Sequence, residues 1–217
     1  MSVYVVSAPS GTGKTTLNRR LIEEHQEIEM SVSHTTRPPR QGEQDGVHYH
    51  FINPTAFREM VANQAFVEWA EVHGNLYGTS LSELERIRGL GKKALLEIDV
   101  QGWQKAAPLL PDAVSIFILP PSLAALWQRL ESRGSDDLAT RWLRLKNAHE
   151  EIINAYNYRY FIVNEKLETA YQKLKSIVVN GKSEEANSSE EGLRLCQQLN
   201  QEFEYADWIK RLKASLG

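Results

Sequence analysis

The chain has 217 residues, 41% of them hydrophobic and 24% charged, with a formal net charge of −3 at pH 7. These values are typical of a single globular domain that is long enough to cover both faces of a sheet. So small a net charge gives no bulk attraction to nucleic acid or to anionic membranes, and we expect neither as a partner. Cys196 is the single cysteine, which excludes an internal disulfide and favours a reducing, cytoplasmic location.

The first predicted element is a buried strand at residues 3–7, which leaves no room for a signal peptide before it. Helical spacing from residue 17 to residue 24 follows, and a glycine-rich loop lies between. The loop fits the phosphate-binding pattern G-x-x-x-x-G-K-S/T except for Ala8 at its first position, which is tolerable if φ stays negative. The expected ATP-binding residues are Ser10, Gly11, Thr12, Gly13, Lys14, Thr15 and Thr16.

Each part of this loop suits a nucleoside triphosphate. Glycine lets backbone N–H groups close around the phosphates, and the N-terminus of the next helix adds its positive end. Lys14 would reach the β- and γ-phosphates, and the Thr15 hydroxyl would ligate Mg²⁺. The sequence therefore predicts binding of a triphosphate with Mg²⁺. The six histidines show no ligand spacing, so we predict no protein-bound transition metal.

Strands and helices continue to alternate along the chain. Further strands are predicted at residues 94–98, 114–119 and 160–163, with a weaker one beginning at Val32. Helices are predicted at residues 123–131, 143–155 and 167–178. This alternation predicts an α/β fold, a P-loop parallel sheet core flanked by helices, with ligands at the carboxyl ends of the strands. No apolar run approaches the length needed to span a membrane.

Two segments interrupt the predicted core at residues 1–32 and 91–180, and a tail follows it. Residues 33–90 form an insert too long for a simple connection, so we expect a small subdomain there. Residues 132–144 are expected to form a short lid. In residues 181–217 a polar linker precedes a helix from about Glu190, whose apolar stripe either docks on the core or pairs with a second subunit. A monomer and a homodimer both remain open.

A series of motifs runs in order along the chain: Ser31-Val32-Ser33-His34-Thr35-Thr36-Arg37, Pro39-Arg40, Gly42-Glu43, Tyr49, Phe66-Val67-Glu68, Gly74-Asn75-Leu76-Tyr77-Gly78-Thr79-Ser80, Asp99-Val100-Gln101-Gly102, Arg129-Leu130, Arg133-Gly134, Arg144-Leu145 and Ile162-Val163-Asn164. From about residue 3 to residue 178 the chain closely resembles guanylate kinases. The resemblance implies transfer of the γ-phosphoryl of ATP to GMP, and it makes residues 33–90 the acceptor-binding insert, a GMP-binding subdomain.

The acceptor phosphate needs donors that leave the attacking oxygen free. Arginine binds phosphate through two planar hydrogen bonds, and a phenol adds an uncharged donor. Arg37, Arg40, Tyr49 and Tyr77 are predicted to form this cradle, as the matching positions of guanylate kinases do.

Guanine offers N1–H and a 2-amino group along one edge, and a carboxylate accepts both. Glu68 is therefore the predicted reader of the base, with the hydroxyls of Ser33 and Ser80 donating to O6. Thr79 lies in the same motif and is included among the GMP-binding residues. Adenine would leave Glu68 a desolvated charge without donors, which predicts strong discrimination.

Asp99 follows an apolar strand, where a carboxylate in P-loop enzymes acts near Mg²⁺ or aligns phosphate-binding groups. We assign it to both catalysis and GMP binding. Guanylate kinases resemble this segment with two aspartates, whereas this chain has Glu97 at the first position. The extra methylene moves that carboxylate, so turnover could fall while binding survives.

The predicted transfer zone contains cations that stabilise charge on the moving phosphoryl group. By analogy with the family, Arg133 and Arg144 join Lys14 in this role, and the family spacing selects Arg144 over Arg141. Asn164 lies where the family approaches the adenine of ATP. Arg159 stands where an aspartate would be usual.

Two other functions compete with this one. A guanylate-kinase-like interaction or regulatory protein would keep the fold but usually has a degraded phosphate loop, whereas this loop is intact. Another P-loop kinase would act on a different phosphate acceptor, and Glu68 and Ser33 argue against it. The choice between GMP and dGMP stays open.

Overall fold

The computed structural model describes residues 2–72, 74–132, 136–182 and 186–216. These residues divide into two compact units. The first contains the described residues up to Val5 and from His25 to Ala113, and the second those from Val6 to Glu24 and from Val114 onward. Strand β1 (Val3–Ser7) contributes residues to both units.

In the first unit the strand order is β1, β7 (Lys93–Glu97), β2 (Ile28–Met30). Strands β2 and β7 are parallel, with Ile28 opposite Lys93. The strand predicted to begin at Val32 is wrong, because β2 ends at Met30. The Val32 N–H instead donates to the Glu83 carboxylate at 2.9 Å, so it does not serve a strand partner.

A second, four-stranded sheet lies in the first unit with the order β4-β3-β6-β5. Strands β5 and β6 form an antiparallel pair, with a register shift between Phe66 and Glu68. The elements of this part are β3 (His34–Thr35), β4 (His50–Phe51), α2 (Pro54–Ala62), β5 (Phe66–Val72), β6 (Asn75–Ser80), α3 (Leu81–Gly89), α4 (Val100–Ala106) and a 3₁₀ turn (Ala107–Leu109).

In the second unit the strand order is β10 (Asn187–Ser188), β9 (Tyr160–Val163), β8 (Val114–Leu119), β1. Strands β8 and β9 are parallel and match the prediction, because they are short apolar runs: β8 is buried except for Val114, and β9 is buried at its two central residues. The helices are α1 (Lys14–Glu24), α5 (Leu123–Glu131), α6 (Leu138–Ile153), α7 (Leu167–Val178), α8 (Ser189–Tyr205) and α9 (Asp207–Ala214).

Two helices differ from the sequence prediction. Helix α6 begins earlier than expected, because the Asp137 carboxylate accepts the Thr140 N–H and caps it. The tail carries two helices, since extended backbone at Ala206 separates α8 from α9.

The predicted fold class, a parallel sheet flanked by helices, is confirmed. Within the described ranges, no helix combines the length and the apolar character needed to cross a membrane.

Candidate active site

The phosphate loop, residues 8–13, joins β1 to α1. Gly11 and Gly13 have φ of +93° and +94°, the left-handed region that favours glycine. The Thr12 side chain is fully buried, and its hydroxyl donates to the Pro9 carbonyl at 2.6 Å. Ala8 does not have positive φ, so its departure from the glycine pattern causes no strain. The loop is therefore held in one conformation by its own hydrogen bonds.

Asn164 holds the same loop from the protein interior. Its amide Nδ2 donates to the Thr12 carbonyl at 2.6 Å, and its side chain is buried. A Cβ on Gly13 would stand 2.7 Å from that nitrogen, so no larger residue fits there. The backbone N–H of Asn164 donates to the Leu119 carbonyl at the end of β8, at 2.8 Å. The amide is thus committed to the loop.

The first turn of α1 carries Lys14, Thr15 and Thr16, which the sequence assigned to ATP. Lys14 is half-buried, and both threonines are exposed, as is Ser10 in the loop. No acidic residue lies in this turn, so the positive end of the helix is not neutralised from within it. These side chains can meet a polyphosphate with its Mg²⁺.

Two arginines of α6 differ in their surroundings. The Arg141 guanidinium pairs with the Glu131 carboxylate at 2.7 Å and lies 5.3 Å from the Trp127 ring centroid. Both contacts hold Arg141 within the protein structure. Arg144 pairs with the Asp136 carboxylate at 3.0 Å and is about twice as exposed as Arg141, 36% against 18%. Arg133, the other predicted lid arginine, lies outside the described residues.

In the first unit, three of the four predicted acceptor-phosphate residues lie together. The Arg37 guanidinium carbon is 5.5 Å from the Tyr49 ring centroid, and the Tyr49 and Tyr77 centroids are 6.0 Å apart. Burial raises the pKa of Tyr49, so its phenol stays protonated as a neutral donor. Arg40 has an exposed side chain.

Glu43 organises this cluster, a role that the sequence did not indicate for it alone. Its two oxygens accept hydrogen bonds from Arg37 Nη2 at 2.8 and 3.0 Å, and one oxygen also accepts the Arg40 N–H at 2.7 Å. The Arg37 hydrogen bond lowers the pKa of Glu43, which therefore remains a carboxylate. Glu43 thus fixes the direction of the Arg37 fork.

The predicted guanine-reading residues separate into two groups. Glu68 Oε1 accepts the Thr79 N–H at 2.9 Å, and the Thr79 and Ser33 hydroxyls share a hydrogen bond of 3.3 Å. Ser80 lies elsewhere: its buried hydroxyl accepts the Glu83 N–H at 3.2 Å and caps α3. Thr79, the neighbouring residue, is the one that contacts both Glu68 and Ser33.

Asp99 and Glu68 lie beside the same glycine. Asp99 Oδ1 accepts the Gly102 N–H at 2.7 Å and caps α4. A Cβ on Gly102 would stand 3.3 Å from both Asp99 Oδ1 and Glu68 Oε2. Burial raises the pKa of the Glu68 carboxyl and the Asp99 charge adds to the rise, while the Thr79 hydrogen bonds oppose it. Gly102 thus leaves room for both carboxylates.

Two sequence departures have different settings. Glu97 ends β7, and its charge is a minor contributor to the raised pKa of Tyr49. The exposed Arg159 side chain lies over the Tyr160 ring at 5.5 Å, and its N–H donates to the Ser115 hydroxyl at 3.0 Å. Neither contact gives Arg159 a role in the loop.

Comparison with known proteins decides the family. A family model described as guanylate kinase matches residues 1–181. The chain belongs to the guanylate kinase family. It is 46% identical to the guanylate kinase of Neisseria meningitidis over 177 residues, 82% of this chain and 86% of that protein. The guanylate kinase of Syntrophotalea carbinolica is 48% identical, with 82% and 84% covered.

A solved structure agrees with this assignment. The crystal structure of guanylate kinase from Anaplasma phagocytophilum is 34% identical, with a TM-score of 0.64 over 89% of this chain and 93% of that one. Against a guanylate kinase site, sequence reasoning missed the contributions of Glu43 and Gly102. Both lie inside the motifs that carry the resemblance, but only the contacts reveal what they hold.

Proposed function

We propose that this member of the guanylate kinase family transfers the γ-phosphoryl of ATP to GMP, giving ADP and GDP, through the residues assigned below. Family membership makes the chain an ATP-dependent kinase that acts on GMP. The observation that carries the base specificity is the Glu68 carboxylate, fixed by the Thr79 N–H beside the Ser33 hydroxyl.

The phosphate loop of the second unit supports the donor side. Its backbone N–H groups and Lys14 bind the ATP phosphates. The exposed Thr15 hydroxyl is an oxygen donor of the kind that Mg²⁺ prefers, and bound Mg²⁺ would neutralise charge on the β- and γ-phosphates. Arg144 supplies positive charge to the moving phosphoryl group, with Arg133 from the lid. Asn164, which the sequence assigned to ATP, acts on this site by positioning the loop through the Thr12 carbonyl.

The acceptor phosphate is bound by Arg37, Arg40, Tyr49 and Tyr77. Glu43 and the Pro38 carbonyl hold the Arg37 fork in place, and we assign the N–H groups that they do not use to the phosphate. The phenol hydroxyls of Tyr49 and Tyr77 add hydrogen bonds to the phosphate without adding another charged group. This arrangement holds GMP by its phosphate and leaves an oxygen for in-line attack.

Guanine is read by Glu68, which accepts N1–H and the 2-amino group. We assign the hydroxyl contacts with O6 to Ser33 and Thr79, because these two hydroxyls share a hydrogen bond and the Thr79 N–H donates to Glu68. Asp99 aligns GMP beside Glu68. Adenine has no pair of donors along this edge, so its binding would leave the carboxylate unsatisfied.

The remaining features of the proposal are broader. Residues 33–90 form the GMP-binding insert within a guanylate-kinase-like domain at residues 1–180. We keep residues 132–144 as the lid; its residues 133–135 lie outside the described residues, and its residues 138–144 belong to α6. We place the chain in the cytoplasm, as a monomer or homodimer, with no nucleic-acid or membrane partner. The intact loop disfavours a purely regulatory protein, and the Glu68 setting disfavours a kinase for another acceptor.

A coupled ADP-release assay with ATP and Mg²⁺ against GMP, dGMP, AMP, UMP and CMP tests the proposal. Turnover confined to the guanine nucleotides supports the reaction and the reading of the base. GMP binding without turnover would favour the regulatory alternative. Turnover with AMP or a pyrimidine nucleotide would refute the role of Glu68.

A further inference from the structure

The C-terminal extension, residues 187–216, lies beyond the 1–181 match to the family model but is fixed to the second unit. Strand β10 pairs antiparallel with β9, with Asn187 opposite Phe161. A few residues later, α8 passes so close to the Phe161 ring that a Cβ on Gly192 would stand 1.9 Å from it. The extension is therefore packed directly against the sheet.

Glu202 on α8 caps a helix that lies 79 residues earlier in the chain. Its two oxygens accept the N–H groups of Leu123 at 2.8 Å and Ala124 at 2.9 Å. These N–H groups open α5 and have no partner within that helix. A carboxylate there also meets the positive end of the helix dipole. Glu202 thus adds to the cap that Ser122 forms by accepting the Ala125 N–H at 3.0 Å, and it ties the first turn of α5 to α8.

Helix α5 in turn supports the phosphate loop. Leu126 and Leu130 stand 3.0 and 3.1 Å from the position that a Cβ on Gly11 would occupy. Both leucines are fully buried. A displacement of α5 would therefore move the surface on which the loop rests.

Phe203, the next residue of α8, holds α6. Its ring stacks on His149 with centroids 3.9 Å apart, and lies parallel to the Trp142 ring at 5.8 Å. His149 Nε2 also hydrogen-bonds Asn200 Oδ1 at 2.7 Å. Arg144 lies on α6 between the two stacked residues. Phe203 therefore fixes the helix segment that carries the proposed transfer-zone arginine.

We propose that the C-terminal extension is a positioning element for ATP, acting through Glu202 on α5 and through Phe203 on α6. Neither residue touches nucleotide. Glu202 sets the support of the phosphate loop, and Phe203 sets the place of Arg144. The inference rests on the proposed function, because it concerns how that donor site is held.

The test compares Glu202→Gln and Phe203→Ala with Glu204→Gln, a control at an exposed position of the same helix. Calorimetry gives the Kd of ATP and of GMP separately. The ADP-release assay, run at a temperature well below the melting temperature of every variant, gives kcat. We expect each variant to weaken ATP binding about fivefold and lower kcat about tenfold, with the Kd of GMP unchanged within about twofold. The control should match the wild type.

Three results would overturn the inference. Unchanged ATP affinity and kcat in a variant with a lower melting temperature would reduce the extension to a stabilising role. Equal losses for ATP and GMP would mean a general disturbance, and altered ATP binding in Glu204→Gln would remove the specificity of the effect. If Phe203→Ala does not fold, Glu202→Gln alone decides. A wild type that binds ATP without GMP turnover would instead refute the proposed function, and the ATP-binding comparison would still stand.

Discussion

Replacing Glu68 by glutamine tests the reading of guanine most directly. Glutamine keeps a carbonyl oxygen for the Thr79 N–H, which Glu68 now accepts at 2.9 Å. Its NH₂ group then replaces the oxygen that faces Gly102. One of the two guanine donors would meet another donor instead of an acceptor.

The expected effect on GMP affinity follows from this single lost interaction. A hydrogen bond to a charged group contributes about 1.5–3 kcal/mol. Since each 1.4 kcal/mol is about tenfold, we expect KM for GMP to rise by about 10- to 150-fold. KM for ATP should stay within about twofold, because the substitution removes no contact of the phosphate loop.

The folded protein should not lose stability in Glu68→Gln. Burial and the Asp99 charge raise the pKa of Glu68 in the folded state. A carboxyl whose pKa is raised in the folded state stabilises the fold most at pH below its pKa in the unfolded chain. This stabilisation is lost as the pH rises through its pKa in the folded state. Above its folded-state pKa the ionised carboxyl therefore costs stability, so at such pH the melting temperature of the variant should equal or exceed that of the wild type.

The ADP-release assay with GMP varied at saturating ATP measures the change, with Glu71→Gln as control. Glu71 is exposed on the same strand, so its replacement should alter neither the KM for GMP nor the KM for ATP. In the wild type, KM for GMP should rise as pH falls through the raised pKa of Glu68, and this dependence should flatten in Glu68→Gln. A change below about threefold in KM for GMP would refute the reasoning.

Three further substitutions address the phosphate loop and the acceptor carboxylates. Lys14→Ala should lower kcat by about 10²- to 10³-fold, because one cationic donor to the transferring group is lost. Gly13→Ala should weaken ATP binding at least about tenfold, since φ is +94° and the added Cβ would stand 2.7 Å from Asn164 Nδ2. Gly102→Ala should raise KM for GMP about tenfold, because its Cβ would crowd Glu68 Oε2 at 3.3 Å. The ADP-release assay and calorimetry measure all three.

Matched controls separate these effects from general disturbance. Arg19→Ala removes an exposed cation of α1 that pairs only loosely with Glu23, at 3.7 Å, and should keep full activity. Gly181→Ala tests positive φ without a clash, and Gly89→Ala tests a helical glycine in open space. Wild-type kcat in the lysine variant, or wild-type ATP affinity in the loop-glycine variant, would contradict the loop assignment. A GMP KM in the Gly102 variant no higher than in Gly89→Ala would contradict the crowding.

Much of the fold follows from local sequence. Strands β8 and β9 were predicted with their observed bounds because each is a continuous apolar run between polar turns. The strand expected at Val32 failed for a non-local reason, since its N–H binds Glu83, which is 51 residues away. Helix α6 began earlier than its apolar spacing indicated, because a cap is polar and lies outside the periodic pattern.

The candidate site shows the same division between local and non-local information. Thr79 and Ser80 are adjacent hydroxyl residues in one motif, and successive side chains of a strand point to opposite faces. Only the tertiary structure decides that Thr79 meets Ser33 while Ser80 caps α3. Asn164 was likewise assigned to ATP from its position, but its amide is bound to the loop carbonyl of Thr12.

The sequence by itself determined the phosphate loop, the alternation of strands and helices, and the family motifs, because these depend on neighbouring residues. The tertiary structure alone decided which groups meet across long separations: Asn164 with the Thr12 carbonyl, Glu68 beside the Gly102 backbone, and Glu202 on the first turn of α5. Such contacts depend on how the helices and strands pack. A hydrogen bond between residues far apart in the chain produces no periodic pattern in the amino-acid sequence.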